Sequence, residues 1–277
     1  MYSLKDKVVI VTGASSGIGK AAAYQFAALG ARVVLVARRA DVLAEVKNDL
    51  SQYGDSILAV PADVTKEQDL QNLYRTVLET FGEIDVLVNN AGISVGGEFQ
   101  EHDADELRKM VEVNVYAPMR LAQLVLPSML ERKQGHIVNV SSVAGLVMSP
   151  GQTAYASTRS AVIAFSHALR REVSRNGVRV SLILPGWTRT PMLDKMDLEE
   201  MRAVKVLTPF TTLDDPSVPA RAIVDSVLHN RRQVLLGGSQ IWVADFMGRM
   251  SPIRITDWFY NFILDKAKLV KVMKDLG

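Results

Sequence analysis

Residues 8–19 read VVIVTGASSGIG, and this stretch decides the fold of the chain. The run Val8–Thr12 is apolar and mostly β-branched, which is typical of a buried strand. The glycines that follow are spaced G-x-x-x-G-x-G, and an alanine-rich segment from Lys20 to Leu29 has the composition of a helix. The stretch therefore predicts a strand, a tight turn and the N-terminus of a helix.

This predicted turn has the features of a loop that binds phosphate groups. Glycine lets the backbone approach a phosphate closely, and the helix N-terminus presents free N–H groups and a partial positive charge. Glycine-rich turns without a ligand are the alternative, but the position in a βαβ unit favours a dinucleotide pyrophosphate. The residues expected to bind it are Gly13, Ser15, Ser16, Gly17, Ile18 and Gly19.

Composition narrows the class of protein. The 277 residues, 48% of them hydrophobic, suit one α/β domain, and a net charge of +2 gives no reason to expect nucleic acid. The chain has no cysteine, which excludes disulfides and thiol chemistry, and its four histidines lack metal-ligand spacing, so no metal is expected. No signal peptide and no apolar run of about 18 residues is found, so we expect a cytoplasmic protein.

Strand-like runs alternate with amphipathic segments. The predicted strands are Val8–Thr12, Arg32–Ala37, Ser56–Val60, Ile84–Val88, His136–Val140, Arg179–Leu184 and Gln233–Leu236, and the predicted helices lie near 17–29, 40–53, 66–81, 103–131, 152–175 and 216–229. This alternation predicts a parallel sheet with helices on both faces and a ligand crevice at the carboxyl ends of the strands. We predict a single-domain, Rossmann-like, doubly wound α/β fold of about seven strands over residues 1–238.

Short polar motifs follow the predicted strands. They are Asp63-Val64, Asn89-Asn90-Ala91-Gly92, Ser141-Ser142 and Pro185-Gly186-Trp187-Thr188-Arg189-Thr190, with Asn114 in the long helix and Tyr155 at the start of the next. In this order and spacing, residues 5–237 resemble the short-chain dehydrogenase/reductase family. The resemblance implies an oxidoreductase that uses a nicotinamide cofactor. It also adds a set of cofactor-binding residues, namely Asp63, Val64, Asn90, Ala91, Gly92, Tyr155, Arg159, Pro185, Gly186, Thr188 and Thr190.

The resemblance also implies roles for three catalytic residues. Tyr155 would deliver a proton to a carbonyl oxygen, or remove it from an alcohol, and Ser142 would hydrogen-bond the same oxygen. Ser142 is preferred to Ser141 because it lies thirteen residues before Tyr155, as in the family. Asn114 would help to hold a water in a proton relay.

Two cofactor contacts follow from the same resemblance. Thr190 would bond the nicotinamide carboxamide, and Asp63 would accept a hydrogen bond from the adenine amino group. The alternative for Asp63 is a turn-forming aspartate. Asn90 and Gly92 would shape the site.

The fourth catalytic position departs from the family. The family motif is Tyr-x-x-x-Lys, whereas this chain has Tyr155-Ala156-Ser157-Thr158-Arg159. Residues four apart share a helix face, so the side chain at position 159 lies beside Tyr155. A cation at this position would stabilise the tyrosine phenolate, which otherwise forms only near pH 10. Arginine is larger, planar and never deprotonated. Either the site works with Arg159, which we favour because the other three residues remain, or it binds cofactor with little turnover.

Cofactor selectivity is expected at the end of the second strand, where the sequence is Val36-Ala37-Arg38-Arg39. A carboxylate at this place would bond the ribose 2′-OH of NAD(H), and none is present. Arginine suits a 2′-phosphate because its planar fork donates two parallel hydrogen bonds, and Ser15 would add a donor. The pattern predicts NADP(H) in preference to NAD(H), with Arg38 the stronger candidate. Alternatively, one or both arginines only begin the solvent face of a helix.

The residues expected to contact the substrate are apolar. A lid is expected at 189–212, with Met192 among its methionines, and the predicted substrate contacts are Val147, Met148, Trp187 and Met192. They favour a lipid-, steroid- or retinoid-like carbonyl or secondary alcohol, although ordinary packing of a lid helix would give a similar pattern. The alternative functions are a 3-oxoacyl thioester reductase and a non-catalytic NADP(H)-binding scaffold or sensor.

Residues 239–277 extend beyond the minimal family pattern. They contain aromatic residues and then lysines interleaved with apolar residues. This C-terminal helical extension either packs on its own domain or a partner subunit, or lies on a membrane surface. By resemblance, the helices near 104–131 and 152–175 pack between subunits, and we expect a homodimer or homotetramer.

Overall fold

The structure is a computed structural model that describes residues 3–54, 56–147, 151–193 and 213–238. Seven parallel strands form one sheet in the order β3-β2-β1-β4-β5-β6-β7. They are β1 (Val8–Thr12), β2 (Arg32–Ala37), β3 (Ile57–Pro61), β4 (Val86–Asn89), β5 (Gly135–Val140), β6 (Val178–Leu184) and β7 (Gln233–Leu235). The predicted doubly wound α/β fold is confirmed. Residues 194–212 of the expected lid and the extension 239–277 lie outside the described residues.

Helices cover both faces of the sheet. They are α1 (Gly17–Ala28), α2 (Ala40–Leu50), α3 (Glu67–Phe81), α4 (Ala104–Val111), α5 (Ala117–Glu131), α6 (Thr153–Val173) and α7 (Ser217–His229). On β1, Val9 and Val11 pack in one core with α1, α2 and α7, whereas Val8 and Ile10 pack in a second core with α3, α5 and α6. Because successive side chains point to opposite faces, both of which are buried, the strand is an unbroken apolar run. No helix among the described residues is long and apolar enough to cross a membrane.

The strand order reverses beside β1. From β1 the chain builds outward to β2 and β3, whereas β4 pairs with the other side of β1 and begins the second half of the sheet. The loops that leave β1 and β4 diverge at this point, which opens a crevice at the carboxyl ends of the two strands.

The long helix predicted at 103–131 is interrupted. A π-helical turn at Glu112–Tyr116 separates α4 from α5. Such a turn inserts an extra residue into the helical repeat, which an apolar pattern of period 3.6 does not reveal. The turn carries Asn114, which is 1% exposed and reaches across to the loop after β4. The interruption therefore lies at Asn114, a predicted site residue whose side chain is buried.

The buried residue His136 lies near the start of β5, at the amino ends of the strands and away from the crevice. The hydroxyl of Ser181 donates to the carbonyl of Arg231, so the same oxygen accepts from Nε2 of His136 at 2.8 Å. Burial, and then the charges of Arg179 and Arg170, lower the pKa of His136 from 6.5 to about 3. His136 is therefore neutral in the folded protein at physiological pH.

We expect His136→Gln to reduce the acid sensitivity of folding. Between pH 6.5 and about 3 the unfolded histidine takes up a proton that the folded one does not, so the native protein loses stability as the pH falls. This group contributes up to about 1.4 kcal/mol per pH unit to that loss, which the variant should not show. Urea denaturation across the pH range measures it, with the exposed His229→Gln as control. An unchanged pH slope in His136→Gln would contradict the prediction.

Candidate active site

The glycine-rich loop joins β1 to α1 at the crevice. Ser16 is the N-cap of α1, and no hydrogen bond from its side chain caps the helix, so the Ser16 hydroxyl does not occupy the N–H groups of the first turn. Gly17 has a φ of +53°, and a Cβ there would lie 2.8 Å from Cγ2 of Thr190. A side chain at this position would strain the backbone and collide with the Thr190 side chain. Two segments predicted to bind one cofactor are thus in contact.

A buried hydroxyl at the end of β1 ties this loop to the loop after β4. The Thr12 hydroxyl donates to the carbonyl of Val88 at 3.2 Å and accepts from the N–H groups of Asn90 and Ala91 at 2.9 and 3.0 Å. The Asn90 amide donates in return to the Thr12 carbonyl at 2.9 Å. Thr12 was not among the predicted site residues. The signal that could have found it is a single hydroxyl at the end of an otherwise apolar run.

Two arginines stand at the end of β2. Arg38 and Arg39 are both exposed, and Nη2 of Arg39 lies 3.4 Å from the Ser15 hydroxyl of the glycine-rich loop. The structure thus brings Arg39 and Ser15 together at the carboxyl edge. Both cations are open to solvent there.

Asp63 follows β3 at the same edge. Its Oδ1 accepts from the backbone N–H and the hydroxyl of Thr65 at 3.1 and 2.8 Å, which is the geometry of a turn aspartate. Burial raises the pKa of Asp63, but these hydrogen bonds and the charges of Arg38 and Lys66 outweigh burial, so the pKa lies below its usual value. The carboxylate is ionised and can accept a further bond. Its neighbour Val64 is buried.

All hydrogen-bonding positions of the Asn114 side chain are used within the protein. Its Oδ1 accepts from the N–H of Ile93 at 2.9 Å and from Nη2 of Arg159 at 3.5 Å. Its Nδ2 donates to the carbonyl of Ile93 at 2.9 Å and to the Thr158 hydroxyl at 3.1 Å. These contacts involve both donor hydrogens and both acceptor lone pairs of the amide, and the one with Arg159 is the longest. The side chain therefore positions the loop after β4 and the arginine.

Tyr155 and Arg159 lie on one face of α6. The guanidinium carbon lies 4.9 Å from the centre of the Tyr155 ring, and Nη1 donates to the Val140 carbonyl at 3.4 Å. Arg159 is only 4% exposed, its Nε is buried without a hydrogen bond, and its bonds to Val140 and Asn114 are long. A buried cation of this kind is costly unless further acceptors reach it. The predicted Tyr155–Arg159–Asn114 cluster is therefore assembled, with donor capacity left on the arginine.

The two serines that follow β5 differ in their burial and in their hydrogen bonds. The Ser141 hydroxyl is buried and donates to the backbone carbonyl of Arg159 at 2.8 Å, which fixes α6 against the sheet. Ser142 is half-buried, and its oxygen accepts from the N–H of Ala144 at 3.2 Å, a bond that does not use the hydroxyl hydrogen. Ser142 is thus the serine with a hydrogen to donate.

The loop after β6 is held on both sides. The Pro185 carbonyl accepts from the N–H of Val143 at 3.0 Å, and Thr188 bonds the Gly186 carbonyl at 3.1 Å. Backbone bonds at 2.8 and 2.9 Å join this loop to Asp214. Of the predicted substrate contacts, Val147, Trp187 and Met192 are half-buried on the loops after β5 and β6, and Met148 lies outside the described residues.

Comparison with known proteins decides the family. The short chain dehydrogenase model matches residues 7–201. The chain belongs to the short chain dehydrogenases. It is 38% identical over 190 residues to an uncharacterized oxidoreductase of Staphylococcus aureus, covering 69% of this chain and 81% of the relative. It is 35% identical over 205 residues to one of Staphylococcus epidermidis, covering 74% and 88%.

Two solved structures resemble this dehydrogenase along most of its length. A 3-ketoacyl-(acyl-carrier-protein) reductase from Brucella melitensis, complexed with NADH, has a TM-score of 0.77 and 30% identity, covering 84% of this chain and 97% of its own. A short chain dehydrogenase/reductase from Burkholderia phymatum, in complex with NAD, has a TM-score of 0.81 and 27% identity, covering 89% and 94%. The protein is thus an oxidoreductase with the fold of this family.

We expect Thr12→Val to loosen the two loops of the dehydrogenase site. The valine has nearly the same shape but leaves the N–H groups of Asn90 and Ala91 without their acceptor, which costs about 1–3 kcal/mol of unfolding free energy for each group that stays buried. Urea denaturation measures the loss. Thr12→Ser keeps the hydroxyl and is the matched control, so equal losses in the two variants would contradict this role.

Proposed function

We propose that the protein is an NADP(H)-dependent oxidoreductase that interconverts a carbonyl and a secondary alcohol on an apolar, lipid-, steroid- or retinoid-like substrate. The observation that carries this proposal is the cluster of Tyr155, Arg159 and Asn114 at the carboxyl ends of the strands, the end at which Ser142 follows β5. This edge is also where the glycine-rich loop and the loop after β6 meet.

The residues present suit a nicotinamide dinucleotide. The N-terminus of α1 would hold its phosphates through backbone N–H groups, and Asp63 offers an ionised carboxylate to the adenine end. At the other end, the unused donors of the buried Arg159 would meet the hydroxyl groups of the nicotinamide ribose, and Thr190, on the loop after β6, lies against Gly17 of the glycine-rich loop. When bound, the cofactor supplies or accepts the hydride.

The side chains then divide the proton chemistry. Tyr155 gives its hydroxyl proton to the carbonyl oxygen during reduction and takes a proton from the alcohol during oxidation. Ser142 donates its hydroxyl hydrogen to the same oxygen and stabilises the negative charge that develops there. The Arg159 cation beside the Tyr155 ring would attract the negative charge left on the tyrosine after proton transfer. Asn114 acts by holding Arg159 and Ile93 in place.

Catalysis is tested by NADPH oxidation with a panel of apolar ketones. We expect turnover by the native protein and a loss on the order of 10²- to 10⁴-fold in Tyr155→Phe, which removes the proton donor but keeps the ring. Arg159→Lys keeps the cation and should retain turnover. Cofactor binding without turnover by the native protein and by Arg159→Lys alike would refute the enzyme and support a binding scaffold or sensor.

A 3-oxoacyl thioester reductase is the second candidate. The solved reductase from Brucella melitensis, which the chain covers almost completely, favours it. The half-buried Trp187 and Met192 on the loop after β6 favour the apolar ketone instead. Adding an acetoacetyl thioester to the same panel separates the two, since the better substrate has the higher kcat/KM.

The preference for NADP(H) rests on the end of β2. The two solved relatives hold NADH and NAD, whereas this chain has Arg38 and Arg39 exposed at that position, with Ser15 beside Arg39. A guanidinium binds a phosphate with charge-assisted, paired hydrogen bonds. The 2′-phosphate of NADP(H) offers such a group, and NAD(H) does not.

Replacing Arg38 by aspartate tests this preference. We expect Arg38→Asp to weaken NADPH binding by about 10- to 100-fold, since a charge-assisted bond is lost and a repulsion is gained, while NADH binding changes little. The dissociation constants can be measured by nicotinamide fluorescence. Arg175→Asp, exposed at the opposite edge of the sheet, controls for net charge. Equal losses for both cofactors would argue against the assignment.

We also propose that copies of the chain associate through α4, α5 and α6. Three large side chains on the α4–α5 segment are at least one-third exposed, namely Val111 (50%), Tyr116 (51%) and Met119 (37%). Burial of such side chains against a second copy would stabilise a homodimer or homotetramer. The role of residues 239–277, as a packed extension or a membrane contact, stays a prediction.

A further inference from the structure

Gly92 and Arg159 meet at an unusually close approach. Gly92 lies three residues after the end of β4, and a Cβ built on it would lie 2.2 Å from Nη2 of Arg159 and 3.3 Å from Nη1. Both distances are shorter than a normal van der Waals contact. The guanidinium therefore occupies the space that any side chain at position 92 would need.

Neither the loop that carries Gly92 nor the Arg159 guanidinium can move away easily. The loop is anchored at the next residue, because Asn114 bonds both the N–H and the carbonyl of Ile93 at 2.9 Å. The guanidinium is buried between the Val140 carbonyl, the Asn114 amide oxygen and the ring of Tyr155. A methyl group at position 92 would therefore push the guanidinium away from at least one of these contacts.

A lysine at position 159 would be affected differently. By atom count, the lysine ammonium nitrogen corresponds to Cζ of arginine, because both are the fifth side-chain heavy atom. Cζ of Arg159 lies 3.2 Å from the Cβ built at Gly92, whereas Nη2, one atom further out, lies at 2.2 Å. A shift of a few tenths of an ångström relieves the first contact but not the second. The conflict with a methyl group is thus specific to arginine.

The backbone does not by itself require glycine here. Gly92 is not among the positive-φ glycines of the described residues, so alanine is free to adopt its conformation. From these distances we propose that Gly92 is a positioning residue for Arg159: its missing side chain is what allows arginine to serve in place of lysine beside Tyr155. The inference rests on the proposed function for its catalytic meaning. The steric coupling of the two residues is independent of that function.

The test is a double-mutant cycle with Gly92→Ala, Arg159→Lys and the double variant. Without cofactor, Gly92→Ala should lower the midpoint of urea denaturation in the native background and leave it nearly unchanged in the Arg159→Lys background. With NADPH and the best ketone, Gly92→Ala alone should lower kcat about 100-fold, as expected for a group displaced by about 1 Å, with little change in the KM of the ketone. In the lysine background the same change should lower kcat by a factor about tenfold smaller.

Each outcome bears on the proposal. Rescue of stability and kcat by lysine supports it, and so does an unfolded Gly92→Ala variant that folds again once Arg159 is replaced by lysine. Equal losses in the two backgrounds, or no loss in either, would overturn it. If no variant turns over any ketone, the proposed function fails, and the denaturation cycle still decides whether Gly92 and Arg159 are coupled.

Discussion

The parallel pairing of β1 with β4 is the constraint on which the site depends. It brings the carboxyl ends of the two strands together where the strand order reverses, so that the glycine-rich loop and the loop after β4 leave the sheet side by side. The Thr12 hydroxyl then serves three backbone groups of the β4 strand and turn. Because this hydroxyl is buried, each of these bonds would be costly to lose, and the relative position of the two loops is closely defined.

A second constraint is the charge of Arg159. A guanidinium that is almost fully buried normally requires a carboxylate, and no ion pair of the described residues involves this one. In place of a carboxylate, the guanidinium has two carbonyl oxygens, at 3.4 and 3.5 Å, and the face of the Tyr155 ring. The Asn114 amide, held by the π-helical turn, and the bare backbone of Gly92 both accommodate the guanidinium. The contacts that accommodate Arg159 thus come from three segments of the chain.

Much of this arrangement could be predicted from the sequence where the cause is local. The strands were recognisable because burial on both faces gives unbroken apolar runs, as in Val8–Thr12. Tyr155 and Arg159 were expected on one helix face because they are four residues apart. The choice of Ser142 over Ser141 came from its spacing to Tyr155 and stays a prediction, and the structure adds that only the Ser141 hydroxyl is committed to the backbone of α6.

What the sequence by itself determined is the order of the elements, the end of the sheet at which the polar motifs gather, and the family to which those motifs belong. Tertiary structure alone decided the partners of Thr12, which lie 76 to 79 residues away, the saturation of Asn114, and the contact of Gly92 with Arg159. Periodicity and spacing report on neighbours along the chain. The distance between two segments brought together by folding depends instead on how every intervening element packs.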